Sequence, residues 1–216
     1  MVTRDQAWTL LTEFMSNPNL IKHELAVEAA MRAYARRLGE DEEYWGIVGL
    51  LHDFDYERYP DMDQHAFVGA SILAERGYPA EMVHAVRAHN PATGEARTSL
   101  LDRALFAVDE LTGLIVAVAL VRPSKSLADV DVAAVRKKWN NAAFARGVNR
   151  AEIEAGAAEL GVDLDEHVGV VLQAMQAIGV ERPGVGYRVR LSPRLSKSRA
   201  WQPSSTPTSS DPRAPI

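Results

Sequence analysis

Apolar residues in this chain recur at three- and four-residue spacing between clear stop signals, and before residue 185 no segment alternates with the two-residue period of a strand. That pattern restricts the chain to an all-α architecture, in which helices can bury their apolar stripes only against one another. The stops can be read individually. Thr3 is placed to cap a first helix that ends before Asn17-Pro18, and a second helix covers 20–38 and ends at Gly39. Asp41 caps a third that carries Trp45, Val48, Leu50 and Leu51. After a loop at 55–60, a fourth helix is expected over 63–76, and Pro79 suits the first turn of a fifth. Thr98 or Ser99 opens a long helix that reaches about residue 121, where Arg122-Pro123 stops it. Ser126 begins the next, through Trp139, and Asn149 and Asp163 cap the last two.

The segment 184–191 (GVGYRVRL) alternates weakly and reads as a short strand or extended arm. From Ser192 onward Ser, Pro and Thr dominate. The expected organisation is therefore one domain over 1–180 and an extended or disordered tail over 181–216.

Composition then excludes several classes of function. The 216 residues contain no cysteine, which removes disulfides, thiolate zinc sites and cysteine nucleophiles together. Any bound metal must be held by nitrogen and oxygen. The net charge is −5 and no basic stripe runs along the chain, so general nucleic-acid binding is disfavoured. The start MVTRDQAW lacks a basic stretch followed by an apolar run, and the apolar run at 114–121 is too short to span a bilayer. The expectation is a cytoplasmic protein with no membrane partner; the oligomeric state cannot be read.

The informative residues are polar ones that interrupt apolar stripes. His52 and Asp53 follow the run 47–51 at the end of a helix. Neighbours on a helix point about 100° apart, so both can face one ion only where the helix ends or distorts. His23 shares its face with Ala26, Val27, Ala30 and Met31. Asp109 lies within ALFAVDELTGLIVAVAL, on the face of Leu105, Phe106, Thr112 and Gly113. A carboxylate buried there alone would cost several kcal/mol, and a cation is the simplest compensation, with Arg103 or Lys125 as the other candidates. Glu110 points elsewhere on this reading and is solvated. His65 precedes Ala66, Gly69 and Ala70 on the fourth helix, and His89 ends the fifth beside Asn90-Pro91. Each histidine alone is more often structural. Together they suggest a shared centre on the inner faces of several helices.

The order His23, His52-Asp53, Asp109 resembles the H…HD…D pattern of the HD superfamily of metal-dependent hydrolases. HAFVGASIL resembles the H-x-x-x-G-A segment of its two-metal subgroup, and AVRAHN that subgroup's following histidine, with Asn90 where a second histidine often stands. The flanking text LIKHELAVEAAMRAYARRLG, GLLHDFDYE, LFAVDELTGL and LVRPSKS is similar to predicted HD-superfamily hydrolases, and the likeness covers roughly 5–178. The resemblance implies an HD-domain helical bundle with a metal site in its core. One ion would be held by His23, His52, Asp53 and Asp109; a second would share Asp53 and add His65 and His89. His84 and His167 match no ligand position.

Histidine and carboxylate without thiolate suit one or two divalent ions of Mn, Fe, Co, Ni, Zn or Mg. Such an ion lowers the pKa of bound water, and a pair ~3.5–4 Å apart can clamp a phosphoryl oxygen. The expected activity is hydrolysis of a phosphomonoester or phosphodiester by metal-bound hydroxide, on a small phosphorylated substrate such as a nucleotide. Lys125 is the first candidate for a phosphate-binding and catalytic cation, Arg122 and Arg87 follow, and Asn90 can contact substrate. Asp55 and Glu57 can relay protons or orient a ligand histidine. Two alternatives stay open: a mixed-valence di-iron oxygenase with the same ligands, and a nucleotide-binding signalling module.

Overall fold

The computed structural model describes residues 2–141 and 143–181. The expected arm at 184–191 and the tail beyond it lie outside the described residues. Those described form nine α-helices and no strand: α1 Arg4–Phe14, α2 Pro18–Leu38, α3 Glu42–Leu51, α4 Phe67–Glu75, α5 Ala80–Ala88, α6 Leu100–Leu120, α7 Val132–Trp139, α8 Arg150–Leu160 and α9 Leu164–Glu181. No described helix is long and apolar enough to cross a membrane.

Local chemistry sets most of the boundaries. Thr3 and Gln6 form a reciprocal capping box at the start of α1, and Ser99 and Asp102 form another at the start of α6. Asn17 accepts from the Asn19 N–H, and Pro18 sits at the first position of α2, where its missing N–H costs nothing. Gly39 takes φ 76 and closes that helix.

α2 and α6, each 21 residues, are the two long rods of the bundle. At ~1.5 Å per residue each runs roughly 31 Å. α2 packs against α3, α6 and α9, while α6 also meets α5 and α8. A Cβ on Gly49 of α3 would stand 3.0 Å from the Val27 carbonyl and 3.1 Å from Glu28 Cα, so this glycine lets α3 lie directly on the backbone of α2. α6 is apolar on nearly all sides, and Leu105, Val108, Leu111, Leu114 and Ile115 are each fully buried in the common core.

The structure departs from expectation at two helices. The fourth begins at Phe67 rather than at 63, because Ala66 stands at φ 67, ψ −33, outside the right-handed helical region. His65 is therefore not on a helix but in the turn before one. Residues 52–66 form a succession of turns, with Tyr56 N–H donating to Asp53 O at 2.8 Å and His65 N–H to Asp61 O at 2.8 Å. The helix expected from Ser126 is also divided. Leu127–Asp129 is one 3-10 turn, Val130 is extended, and Asp131 caps α7 by accepting from Ala134 N–H at 2.7 Å.

Candidate metal centre

His52 closes α3, and the helix gives way to turns at Asp53. The following three residues divide their tasks. Phe54 is fully buried and meets Phe14 edge to face, with ring centroids 5.2 Å apart. Held by that anchor, Asp53 faces a cavity on one side, and Asp55 turns inward on the other.

Five side chains converge around Asp53, making a cluster of six. Asp109 Oδ1 lies 2.9 Å from His23 Nε2 and 3.4 Å from His52 Nε2. Asp53 Oδ1 lies 3.0 Å from His65 Nε2, 3.0 Å from His89 Nε2 and 3.5 Å from His52 Nε2. Two overlapping groups result: His23, His52, Asp53 and Asp109, and Asp53, His65 and His89, each tight enough to hold an ion.

The far nitrogen of every one of these histidines is engaged. His52 Nδ1 donates to Gly49 O at 2.9 Å, with Glu24 Oε2 at 3.0 Å; His89 Nδ1 donates to Val86 O at 2.6 Å. His65 Nδ1 donates to Asp55 Oδ1 at 2.9 Å. The Thr112 hydroxyl gives its proton to Asp109 O, so at 3.2 Å it accepts from His23 Nδ1. Carbonyl and carboxylate oxygens can only accept, so the protons belong on Nδ1 and the Nε2 lone pairs point at the centre. His52 Nε2 and Asp53 Oδ1 are buried and make no hydrogen bond. Lone pairs facing lone pairs at buried atoms is an arrangement that a cation relieves.

The electrostatics agree. Burial opposes a charged His52, yet Asp53, Glu24 and Asp109 outweigh it and raise its pKa well above the usual value. Burial likewise opposes a charged His65, but Asp53 and Asp55 push it up to about 10. Burial would raise Asp53, but His52, His65 and His89 hold it well below the carboxylate range. The centre takes up positive charge, as protons or as metal.

Asp55 shows how one side chain can set a local fold. It is fully buried, accepts from Ala66 N–H at 3.1 Å and Gly69 N–H at 2.8 Å, and holds His65. A Cβ at Gly69 would lie 2.9 Å from that carboxylate, which explains physically why a glycine stands four residues after His65.

Comparison with known proteins follows the same residues. The HD domain family model matches residues 20–114, a span that includes all six convergent side chains. Residues 20–114 form an HD domain. Ribonuclease Y of Lawsonia intracellularis is 30% identical over 83 residues, 38% of this chain and 16% of the relative. Ribonuclease Y of Desulfotalea psychrophila is 31% identical over 96 residues, 44% of this chain and 18% of the relative. The chain thus spans less than a fifth of the length of these relatives. No solved structure gives a significant match.

The remaining sequence-predicted residues fall in different places. Asn90 is buried at the cavity wall, donates to His65 O at 3.3 Å and accepts from Ala92 N–H at 3.0 Å. Glu57 is exposed and accepts from the backbone of Ser16 and Asn17, joining the turn before α2 to the segment after α3. Arg122 and Lys125 lie outside the HD domain match and do not line the cavity. They follow the end of α6, whose last residue is roughly 16 Å along the axis from Asp109. Arg122 faces Asp131 at 3.9 Å, and Lys125 is exposed at φ 51. Arg87 pairs with Glu95. His84 contacts Asp102, and buried His167 bridges Tyr34 and Ala107 O.

Two residues were missed or misread in the sequence. Glu24 is fully buried behind His52; it shares the stripe of Val27, Glu28 and Met31, and that position was the available signal. Glu110 is not a solvated bystander. It lines the cavity, accepts from Asn149 N–H at 3.1 Å, and burial together with Asp109 pushes it up to about 7.

Proposed function

We propose that the HD domain is a metal-dependent phosphohydrolase whose ions are held by His23, His52, Asp53, His65, His89 and Asp109. The observation that carries this reading is a buried set of lone pairs, His52 Nε2 and Asp53 Oδ1 among them, at the inner end of a cavity of about 550 Å³. That volume suits a small organic phosphate. A divalent ion bound there would lower the pKa of water and polarise a phosphoryl oxygen, which is the chemistry such ester hydrolysis needs.

The chain's own contribution is placement. Asp53 belongs to both ligand groups and sets their separation. Asp55, Thr112 and the Gly49 and Val86 carbonyls orient four imidazole rings before an ion arrives. Asn90 holds His65's backbone while lining the cavity. Tyr56 stands edge-on to the His65 ring, with centroids 5.1 Å apart, and closes the cavity beside it.

Elemental analysis of the purified protein, paired with phosphoester turnover with and without Mn²⁺, Co²⁺ or Ni²⁺, tests this directly. One or two equivalents of metal with metal-dependent release of phosphate or alcohol is the expected result. Two irons with O₂ consumption and no ester cleavage would replace the hydrolase with the oxygenase. Failure to bind metal under any loading would end the site assignment. The ribonuclease relatives make an RNA phosphodiester one member of the substrate panel.

A further inference from the structure

The cavity's charge is unusual for a protein that handles phosphate. Its wall carries the carboxylates of Asp53, Asp109, Glu110 and Glu152, and among the described residues no lysine or arginine lines it. The two glutamates are joined through Asn149. Glu110 directly follows Asp109 on α6 and its Oε2 accepts from Asn149 N–H at 3.1 Å. Asn149 Nδ2 in turn donates to Glu152 Oε1 at 2.6 Å, in the first turn of α8. Each glutamate gives one oxygen to the scaffold, and both residues line the cavity. The inner end holds the unpaired, buried His52 Nε2 and Asp53 Oδ1.

These two ends ask for opposite charges. On the metal-hydrolase reading, on which this inference rests, bound ions offset the two aspartates and attract one phosphoryl group. The carboxylate of Glu152 remains as negative charge on the same cavity wall, with Glu110 beside it. A dianionic monoester or a polyphosphate brings further negative charge against that wall, where among the described residues no cationic side chain receives it. A substrate with one anionic phosphoryl group and a cation a few bonds away satisfies both ends.

We propose that this HD domain selects zwitterionic phosphodiesters, in which an alcohol bearing an ammonium group is esterified to the scissile phosphate, and that Glu152 is the specificity-determining residue. Hydrolysis adds water to phosphorus and breaks the bond to the other alcohol. That alcohol leaves with one of the water's protons, and the ammonium-bearing phosphomonoester is the second product.

The test uses the full chain loaded with Mn²⁺ or Co²⁺ and three chromogenic esters: p-nitrophenyl phosphorylcholine, bis(p-nitrophenyl) phosphate and p-nitrophenyl phosphate. The expected order of kcat/KM places the zwitterion first and the dianionic monoester last. Glu152→Gln keeps the oxygen that accepts from Asn149, so the helix start is preserved. It should lower the zwitterion-to-monoester ratio by about tenfold, the equivalent of one lost charge contact, chiefly through KM for the zwitterion. A monoester preferred by the wild-type protein, or a ratio that Glu152→Gln does not move, overturns this proposal and leaves the hydrolase standing. Metal-loaded protein that cleaves none of the three overturns both.

Discussion

The two halves of the centre are built differently. His23, His52 and Asp109 stand on α2, the end of α3 and α6, which are regular helices packed on one another. His65 stands in a turn, ahead of an alanine at φ 67, and is held by a single buried carboxylate; His89 is the residue that closes the short helix α5. A residue at positive φ costs on the order of 1–3 kcal/mol, which the two N–H bonds to Asp55 help to offset. The first group is therefore as rigid as the core, and the His65 arm of the second is as rigid as its contacts to Asp55 and Asn90. One ion should be tight and the other adjustable.

That contrast can be broken most completely at the residue both halves share. Asp53→Ala should abolish binding of both ions and lower kcat/KM by about 1000-fold or more, read by elemental analysis and turnover. Retained metal would mean that the groups do not depend on their common carboxylate.

Gly49→Ala attacks the helical half alone. Its Cβ would press on the α2 backbone, so global stability should fall by about 1–3 kcal/mol in a denaturant titration, and the first ion should weaken with it. Asp55→Asn attacks the other half. It should weaken the second ion by about 10–100-fold in a calorimetric Co²⁺ titration, with the first ion retained. Equal losses at both ions would show that the halves are one unit.

Proton competition sharpens the comparison further. His65 is pushed up to about 10, so near neutral pH an incoming ion must displace its proton. Affinity for the second ion should rise as pH increases from 6 to 8, by up to about tenfold per unit for each proton released. Calorimetry in buffers of different ionisation enthalpy counts those protons, and a pH-independent affinity would contradict the assignment of His65.

His167 gives the smallest expected effect and the opposite sign. Burial lowers its pKa, since it faces only Tyr34 and a carbonyl. Its neutral form is favoured in the fold, so stability is full above the usual histidine value of about 6.5 and falls as pH drops through the lower folded value. His167→Gln should flatten that acid limb of the denaturation midpoint. An unchanged acid limb would mean another group titrates there.

Helical periodicity, caps and stops were available in the order of residues, because they are interactions within about four positions along the chain. They predict the long helices carrying His23 and Asp109, and the break after His52, close to where they occur. The fourth helix was misplaced because its start depends on Asp55, which contacts Ala66 and Gly69 from 11 and 14 residues away. The same reason hid Glu24 and Glu110. On a helical wheel each is one more polar residue, and only the packing of α3 on α2 and of α8 on α6 turns one toward His52 and the other into the cavity. Lys125 is the reverse case: adjacent in sequence to the helix of Asp109, it is carried away from the site by the length of that helix. The sequence by itself determined that the chain is helical and which side chains are too polar for the stripes they occupy. Only the tertiary structure decided which of them meet, because burial, ring orientation and the sign of each pKa shift come from neighbours distant along the chain.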